Sequence, residues 1–255
     1  MDKQLIEKRF TRSLQDYDKA AFVQQQIART MLSLVEKHCG DLYNSVDRSL
    51  LISEFGCGTG YYSRLLAERY IPERLWLNDL CSGLAPFYRD WKEQKADFCA
   101  GDAEQVPFPS SQDLITGCSA IQWFEHPQAF FKKCASALRR HGWLAFSSFE
   151  QRTFTEIRSL TGQGLNYPTI EEYKEMLMPW FNVVYAEKET IEPTFNTSME
   201  VLRHLKLTGV TGTGSYKWTK QSLDEFCTAY TAQYTKGKGV RLTYEPVYII
   251  AQLKN

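Results

Sequence analysis

The sequence predicts an α/β fold: a mostly parallel sheet of seven strands with helices on both faces, and a helical insertion between strands six and seven. Three observations carry this prediction. Short apolar runs alternate with helix-compatible stretches from residue 50 to residue 149, and such alternation requires parallel strands joined by right-handed crossovers. The first run, L-L-I-S-E-F, turns at once through Gly56, Gly58 and Gly60 into a helix over residues 61–70, as a buried strand does at the ligand edge of such a sheet. The third observation is the segment 194–239 between the last two apolar runs, which is too long for a hairpin loop.

The elements follow in order. Residues 3–38 read as helix throughout, with Ala20, Ala21, Val23, Ile27, Met31, Leu34 and Val35 recurring at three and four as one buried stripe. Residues 1–45 are expected to cover the site, with Tyr17 either stacking or hydrogen-bonding there or anchoring a surface helix. After a polar loop at 40–49, the first strand and its helix end at Pro72. R-L-W-L-N-D is strand two, a helix spans 84–94, and A-D-F-C-A is strand three. Strand four spans 113–120 and a helix spans 127–138, closed by Arg139, Arg140 and His141 at the negative end of its dipole. W-L-A-F-S-S-F is strand five, a helix spans 170–177, and strand six begins at Phe181. Strand seven spans 240–253, where Pro246 suggests a bulge or an edge. In the insertion, M-E-V-L-R-H-L-K-L-T-G-V-T-G-T-G reads as a short amphipathic helix ending in glycines, and W-T-K-Q-S-L-D-E-F-C-T-A-Y as a second helix. An insertion of this size at 194–239 is expected to be a lid or substrate-recognition cap on one domain spanning 1–255.

Composition bounds the function. Thirty basic residues balance thirty acidic ones, so no global field favours nucleic acid or an anionic membrane. The N-terminus lacks the apolar core of a signal peptide and no stretch approaches a membrane span, which predicts a soluble, cytoplasmic protein. The seven cysteines are scattered, with no C-x-x-C and no paired histidines, so neither metal nor disulfide is expected.

Chemistry concentrates at the strand ends. Glycines at alternate positions let a ligand approach the backbone, and the helix behind them offers unpaired N–H groups. A dinucleotide fingerprint needs a glycine at position 61, where this chain has Tyr61. Asp79 closes strand two about twenty residues beyond the turn, the spacing of a ribose-binding acid, with Asn78 a lesser candidate. G-D-A-E at 101–104 reads either as a type I turn or as a ligand segment. Ser119, Gln122 and Trp123 stand at the carboxyl end of a central strand, the binding edge of doubly wound sheets.

Taken together, E-F-G-C-G-T-G from Glu54, Asp79 and G-D-A-E resemble the class I S-adenosylmethionine-dependent methyltransferases, with their Rossmann-like fold. Within them, K-R-F-T-R-S-L-Q-D-Y-D-K-A-A from Lys8, S-A-I-Q-W from Ser119 and M-E-V-L-R-H-L-K-L-T-G-V from Met199 resemble the malonyl-[acyl-carrier protein] O-methyltransferases of biotin synthesis. The resemblance implies S-adenosyl-L-methionine as cofactor, held by Glu54, Gly56, Gly58, Gly60, Asp79, Asp102, Ala103, Ser119, Gln122 and Trp123. Asp102 accepts from the adenine amine in such a site, and the Ala103 N–H donates to the ring. The implied substrate is the free carboxylate of malonyl-acyl carrier protein or malonyl-CoA. A carboxylate is already ionised at neutral pH, so the reaction needs alignment rather than a base. Arg203 is the first candidate to hold that carboxylate, because a guanidinium binds it bidentately; His204, Lys206 and Arg152 stand behind it, with Tyr17 in the cover. On its residues alone the same helix reads as carrying Arg203 and Lys206 on a solvated face, and only the resemblance of its stretch points to the substrate role. An acidic carrier would dock on Lys206, Lys217, Lys220, Lys236, Lys238 and Arg241. Two other functions share the core: methylation of another small acceptor such as a quinone precursor, and cofactor binding without turnover.

Overall fold

The protein was analysed as a computed structural model that describes residues 2–42, 49–91, 93–209 and 218–255. Its strands are β1 (Leu51–Phe55), β2 (Arg74–Asp79), β3 (Ala96–Ala100), β4 (Gln112–Gly117), β5 (Leu138–Phe149), β6 (Phe181–Lys188), β7 (Thr194–Phe195), β8 (Thr235–Lys236), β9 (Gly239–Arg241) and β10 (Pro246–Leu253). The helices are α1 (Lys3–Ala20), α2 (Phe22–His38), α3 (Tyr61–Tyr70), α4 (Pro127–Ala137), α5 (Thr155–Thr161), α6 (Ile170–Leu177), α7 (Ser198–Leu207) and α8 (Lys220–Tyr234). Seven strands form one sheet in the order β3-β2-β1-β4-β5-β10-β6. Strands β1 to β5 run parallel, and β10 inserts antiparallel between β5 and β6.

The period of two along each strand divides the core into two layers. On β5, Trp143 and Ala145 face the layer under α2 and α3, while Leu144 and Phe146 face the layer under α4 and α6. On β10, Tyr248 and Ile250 join the first layer and Val247, Ile249 and Ala251 the second. A strand buried on both faces cannot show polar alternation, which is why these runs read as continuously apolar.

Several boundaries differ from the sequence reading for local reasons. The first helix is two: α1 ends where the Ala21 N–H donates to the Tyr17 carbonyl, and Ala21 itself leaves the helical region at φ −84°, ψ 32°. The break separates a helix that lies across the sheet's carboxyl edge from one that packs on its face. Residues 82–88 form 3₁₀ turns rather than a helix over 84–94; Pro86 within them lacks the N–H that an α-helix would use. Strand four stops at Gly117, and Ser119 turns into the left-handed region at φ 54°. Pro246 marks neither a bulge nor an edge. It is the first residue of interior strand β10, paired with Phe149, where no ladder N–H is required. The register shift lies instead at Ile250/Ala251. The N-terminal part of the expected seventh strand is β9, which pairs with β7 and β8 in a small separate sheet.

Between β6 and β10 the insertion supplies that small sheet with α7 and α8. Helix α7 packs against α1. At its end, Gly209 (φ 74°) leaves so little room that an added Cβ would meet the Phe10 ring at 3.0 Å.

Candidate functional site

A cavity opens at the carboxyl edge of β1, β2 and β4 and is walled by the glycine turn, the β2 and β3 ends and the segment after β4. Helix α1 roofs it with Ile6, Phe10, Leu14 and Tyr17. Polar ties hold that roof in place. Lys3 Nζ pairs with Asp102 Oδ2 at 2.6 Å and with Glu104. Glu7 Oε1 accepts from the Ser82 N–H and hydroxyl at 3.3 and 3.2 Å, and the Thr59 hydroxyl donates to Asp18. Burial alone would lower the Lys3 ammonium, but its two carboxylate partners hold it above its ordinary range.

The three glycines of the turn do different work. Gly56 (φ 65°) lies so close to the post-β4 segment that an added Cβ would overlap Ala120 Cβ. Gly60 (φ 87°) packs beneath Tyr88 and Trp91, whose atoms would stand 3.2 Å from such a Cβ. Gly58 (φ 55°) alone has nothing within 4 Å in that direction, and it lines the cavity. Asp79 accepts from the Gly58 and Cys81 N–H groups, each at 2.9 Å, one on each carboxylate oxygen. Each oxygen retains lone-pair capacity toward the cavity. Burial holds the Asp79 carboxyl above its ordinary range, against the opposing pull of those two backbone donors.

Most of the residues expected at the cofactor converge here. Gly56, Gly58, Asp79, Asp102, Ala103, Ser119, Gln122 and Trp123 all line the one cavity. The Ser119 N–H donates to Ser147 Oγ at 3.0 Å and Gln122 Nε2 donates to the Ser119 carbonyl at 2.6 Å. The Ser119 hydroxyl and Gln122 Oε1 are buried with no protein partner, the condition of groups kept for a ligand. Trp123 stands edge-on to Phe10, ring centroids 6.2 Å apart, fixing the roof to the post-β4 segment. Asn78 lines the cavity too: its amide N–H groups donate to the Cys99 and Gly101 carbonyls, both at 2.9 Å, and tie down the loop after β3, while its Oδ1 is buried with no protein partner.

Four expected residues are placed elsewhere. Glu54 is sealed under the turn, 1% exposed and outside the cavity wall, and burial pushes its carboxyl up to about 8. Gly60 caps α3 from behind the wall. Arg203 stands on the exposed face of α7, opposite Val201 and Leu205, because three-and-four periodicity turns positions 199, 203 and 206 outward together. It therefore does not reach the cavity. His204 is buried beside the cavity rather than in it. Its ring packs against Phe22 and Phe195, centroids 5.2 and 5.0 Å away, and its Nε2 is 2.6 Å from the Tyr244 hydroxyl. Burial lowers the imidazole to about 4, so it is neutral at pH 7.

Sequence reasoning missed the far end of the cavity. Gln24, Phe149, Phe154, Tyr167, Thr208 and Tyr244 come from six separate segments, and no motif joins them. Tyr17 meets them from the roof. Its phenol is pushed up by burial, with Asp79 and Asp18 acting the same way, so it is a hydrogen-bonding group and not a base. Of the other cations considered, Arg152 sits 3.6 Å from Glu245, Lys236 is paired with Glu192 at 2.8 Å, and Arg241 lies 3.4 Å from Glu156. Lys206, Lys220 and Lys238 are exposed, and Lys217 lies outside the described residues. Among the described residues no cluster of His, Cys, Asp and Glu could hold a metal, and no helix is long and apolar enough to cross a membrane.

Comparison with known proteins follows the same lines. A profile described as a methyltransferase domain matches residues 53–146, the stretch from β1 to β5. Among solved structures, the YcgJ protein from Bacillus subtilis superposes with a TM-score of 0.61 at 13% identity, covering 89% of this chain and 99% of that one. A putative methyltransferase from Bacillus halodurans gives 0.58 at 16% identity, covering 84% and 97%. The fold is that of a class I methyltransferase. Relatives extend the match over the whole chain: the malonyl-[acyl-carrier protein] O-methyltransferase of Bacteroides thetaiotaomicron is 42% identical over 100% of this chain and 99% of its own length. That of Bacteroides helcogenes is 43% identical over the full length of both. A third, from Bacteroides fragilis, is 49% identical over 98% of this chain, which spans only 50% of that longer relative. The chain belongs to the malonyl-[acyl-carrier protein] O-methyltransferase family.

Proposed function

We propose that the protein transfers a methyl group from S-adenosylmethionine to the free carboxylate of a malonyl group carried as a thioester on acyl carrier protein, an early step of biotin synthesis. The observation that carries this reading is the extent of the relationship. At 42–43% identity overall it covers the whole chain, insertion included, and not only the methyltransferase core.

S-adenosylmethionine supplies a methyl on a sulfonium sulfur, which is electrophilic without further activation. The chain's part is to bind and align. Asp79 offers acceptors to the ribose hydroxyls, Gly58 admits the ligand against the backbone, and Asp102 with Ala103 addresses the adenine. The unpaired Ser119 and Gln122 groups remain for the amino-acid end. The roof of Phe10, Leu14 and Tyr17 excludes water, and partial desolvation strengthens every polar interaction inside. A carboxylate acceptor is ionised at neutral pH, which suits a cavity whose Tyr17 and His204 are both unfit as bases. Proximity and in-line alignment then supply the rate.

The acidic carrier would dock on the outer faces of α1 and α7, where Lys8, Arg12, Arg203 and Lys206 are exposed above the cavity roof. The deciding experiment incubates the protein with labelled methyl donor and malonyl-acyl carrier protein, malonyl-CoA or a quinone precursor. Label in an alkali-labile ester of the malonyl carrier supports the reading. Label in the quinone precursor alone, or in none of the three, overturns it.

A further inference from the structure

Of the charged residues lining the cavity among those described, Lys3 is the one cation, and both Asp102 and Glu104 claim it at the end away from Tyr244. The other two are Asp79 and Asp102. The far end offers only neutral polar groups: the hydroxyls of Tyr17, Tyr167 and Tyr244, the amide of Gln24, and Thr208, whose hydroxyl is already committed to the His204 carbonyl at 2.9 Å. Gln24 Oε1 is buried without a partner. An anionic acceptor placed here meets the tyrosine hydroxyls as donors, while Gln24, which also faces the Tyr244 hydroxyl, is the amide beside them.

Tyr244 is the best fixed of these donors. Its backbone is pinned by a reciprocal pair of hydrogen bonds with Ile191, both 2.9 Å, and its ring is held edge-on by Phe154 at 4.8 Å. Its hydroxyl is 2.6 Å from Nε2 of His204. Which way that bond runs decides what Tyr244 can do. If Nε2 accepts, the tyrosine proton points to the imidazole; if Nε2–H donates, the tyrosine oxygen is the acceptor and its own proton turns toward the cavity, where Gln24 also stands beside the hydroxyl. The rings of Phe22 and Phe195 pack together against the imidazole, which is buried, and that burial keeps it neutral.

We infer that the acceptor carboxylate is received by neutral donors rather than by a cation, with His204 acting as a positioning residue that, as the Nε2–H tautomer, turns the Tyr244 hydroxyl proton into the cavity. The inference rests on the carboxylate reading above and departs from the expectation that Arg203 holds the substrate. Chemically it separates holding from neutralising. A guanidinium would fix the carboxylate by drawing off the charge that attacks the methyl group, whereas hydroxyl donors orient one oxygen and leave the charge on the other.

The test measures methyl transfer to malonyl-acyl carrier protein for wild type and for His204→Leu, His204→Gln, Tyr244→Phe and the His204→Leu/Tyr244→Phe double variant, and to malonyl-CoA, which makes no use of the carrier dock, for wild type and for Arg203→Ala, Lys206→Ala and Lys217→Ala. Donor affinity is followed by calorimetry, and the His204 tautomer in the wild type by ¹⁵N NMR. Each of His204→Leu and Tyr244→Phe should lower kcat/KM for the acceptor about tenfold, the scale of one buried donor, with donor affinity unchanged. The double variant should lose no more than either single one, because the two residues act as a unit. His204→Gln retains an N–H donor and should recover most of the loss, which a purely structural role for the ring would not allow. Wild-type turnover with Tyr244→Phe silent, additive losses in the double variant, a Nδ1–H tautomer, or abolition of chemistry by one of the cation variants overturns the inference. A wild type that makes no malonyl ester is a different failure, because it removes the carboxylate acceptor itself.

Discussion

Replacing Gly58 and Gly56 with alanine separates ligand space from packing space in the same turn. Both glycines have positive φ, 55° and 65°, and an alanine there costs about 1–2 kcal/mol. At Gly58 the added methyl meets no protein atom, so that cost stands alone. For a chain of this size it corresponds to about 2–8 °C in Tm. At Gly56 the methyl overlaps Ala120 Cβ, and forcing the segments apart adds about 1–3 kcal/mol, which brings the expected loss to about 4–20 °C. Function should rank the other way per degree lost. The Gly58 methyl enters the cavity where the backbone admits the donor, so S-adenosylhomocysteine affinity should fall at least about tenfold, or 1.4 kcal/mol. Differential scanning calorimetry gives the first quantity and isothermal titration the second. A Gly58→Ala protein that binds the nucleoside like wild type, or that melts below Gly56→Ala, would refute this division of labour.

Three further outcomes are expected. Asp79→Ala leaves the Gly58 and Cys81 N–H groups without their acceptor, at about 1–3 kcal/mol each; titration should show donor binding reduced at least as much as in Gly58→Ala, and unchanged affinity would take Asp79 out of the site. Glu54 has a native pKa of about 8 against an ordinary 4.5. The folded state therefore keeps a proton that the unfolded chain releases, and its stabilisation is complete below about 4.5 and lost as pH rises through about 8. Glu54→Gln removes that slope, so the variant should gain Tm on wild type steadily across this window, and parallel melting curves would contradict it. Reversing Arg203 and Lys206 to Glu should weaken turnover of malonyl-acyl carrier protein far more than of malonyl-CoA, with the gap closing in added salt; equal losses on both substrates would place the carrier on another surface.

Much of the sheet could be read along the chain because its signals are local. Gly56, Gly58 and Gly60 announce a turn through their spacing, Asp79 is a fixed distance from them, and each apolar run needs only its own composition to be recognised as a buried strand. The same locality limited the details. Pro86 blocks a helix that the surrounding residues favour. Ala21 breaks one continuous apolar stripe where α1 leaves the sheet face for the cavity. Pro246 opens an interior strand, a position that sequence cannot tell from an edge until its neighbours Phe149 and Lys188–Val247 are paired.

Sequence alone determined one wall of the cavity, since Gly58, Asp79, Asp102 and Gln122 sit at the ends of successive parallel strands, and parallel topology brings every such end to one edge. The far end of the cavity was decided only in three dimensions. Tyr17, Gln24, Tyr167 and Tyr244 are spread over most of the chain and meet because α1, α2, the α5–α6 segment and the run between β9 and β10 are packed around one space. The chain order of α7 also placed Arg203 and His204 side by side with equal claims as substrate ligands. Helical periodicity and the packing of α7 on α1 separated them, turning the guanidinium to solvent and the imidazole inward onto Tyr244.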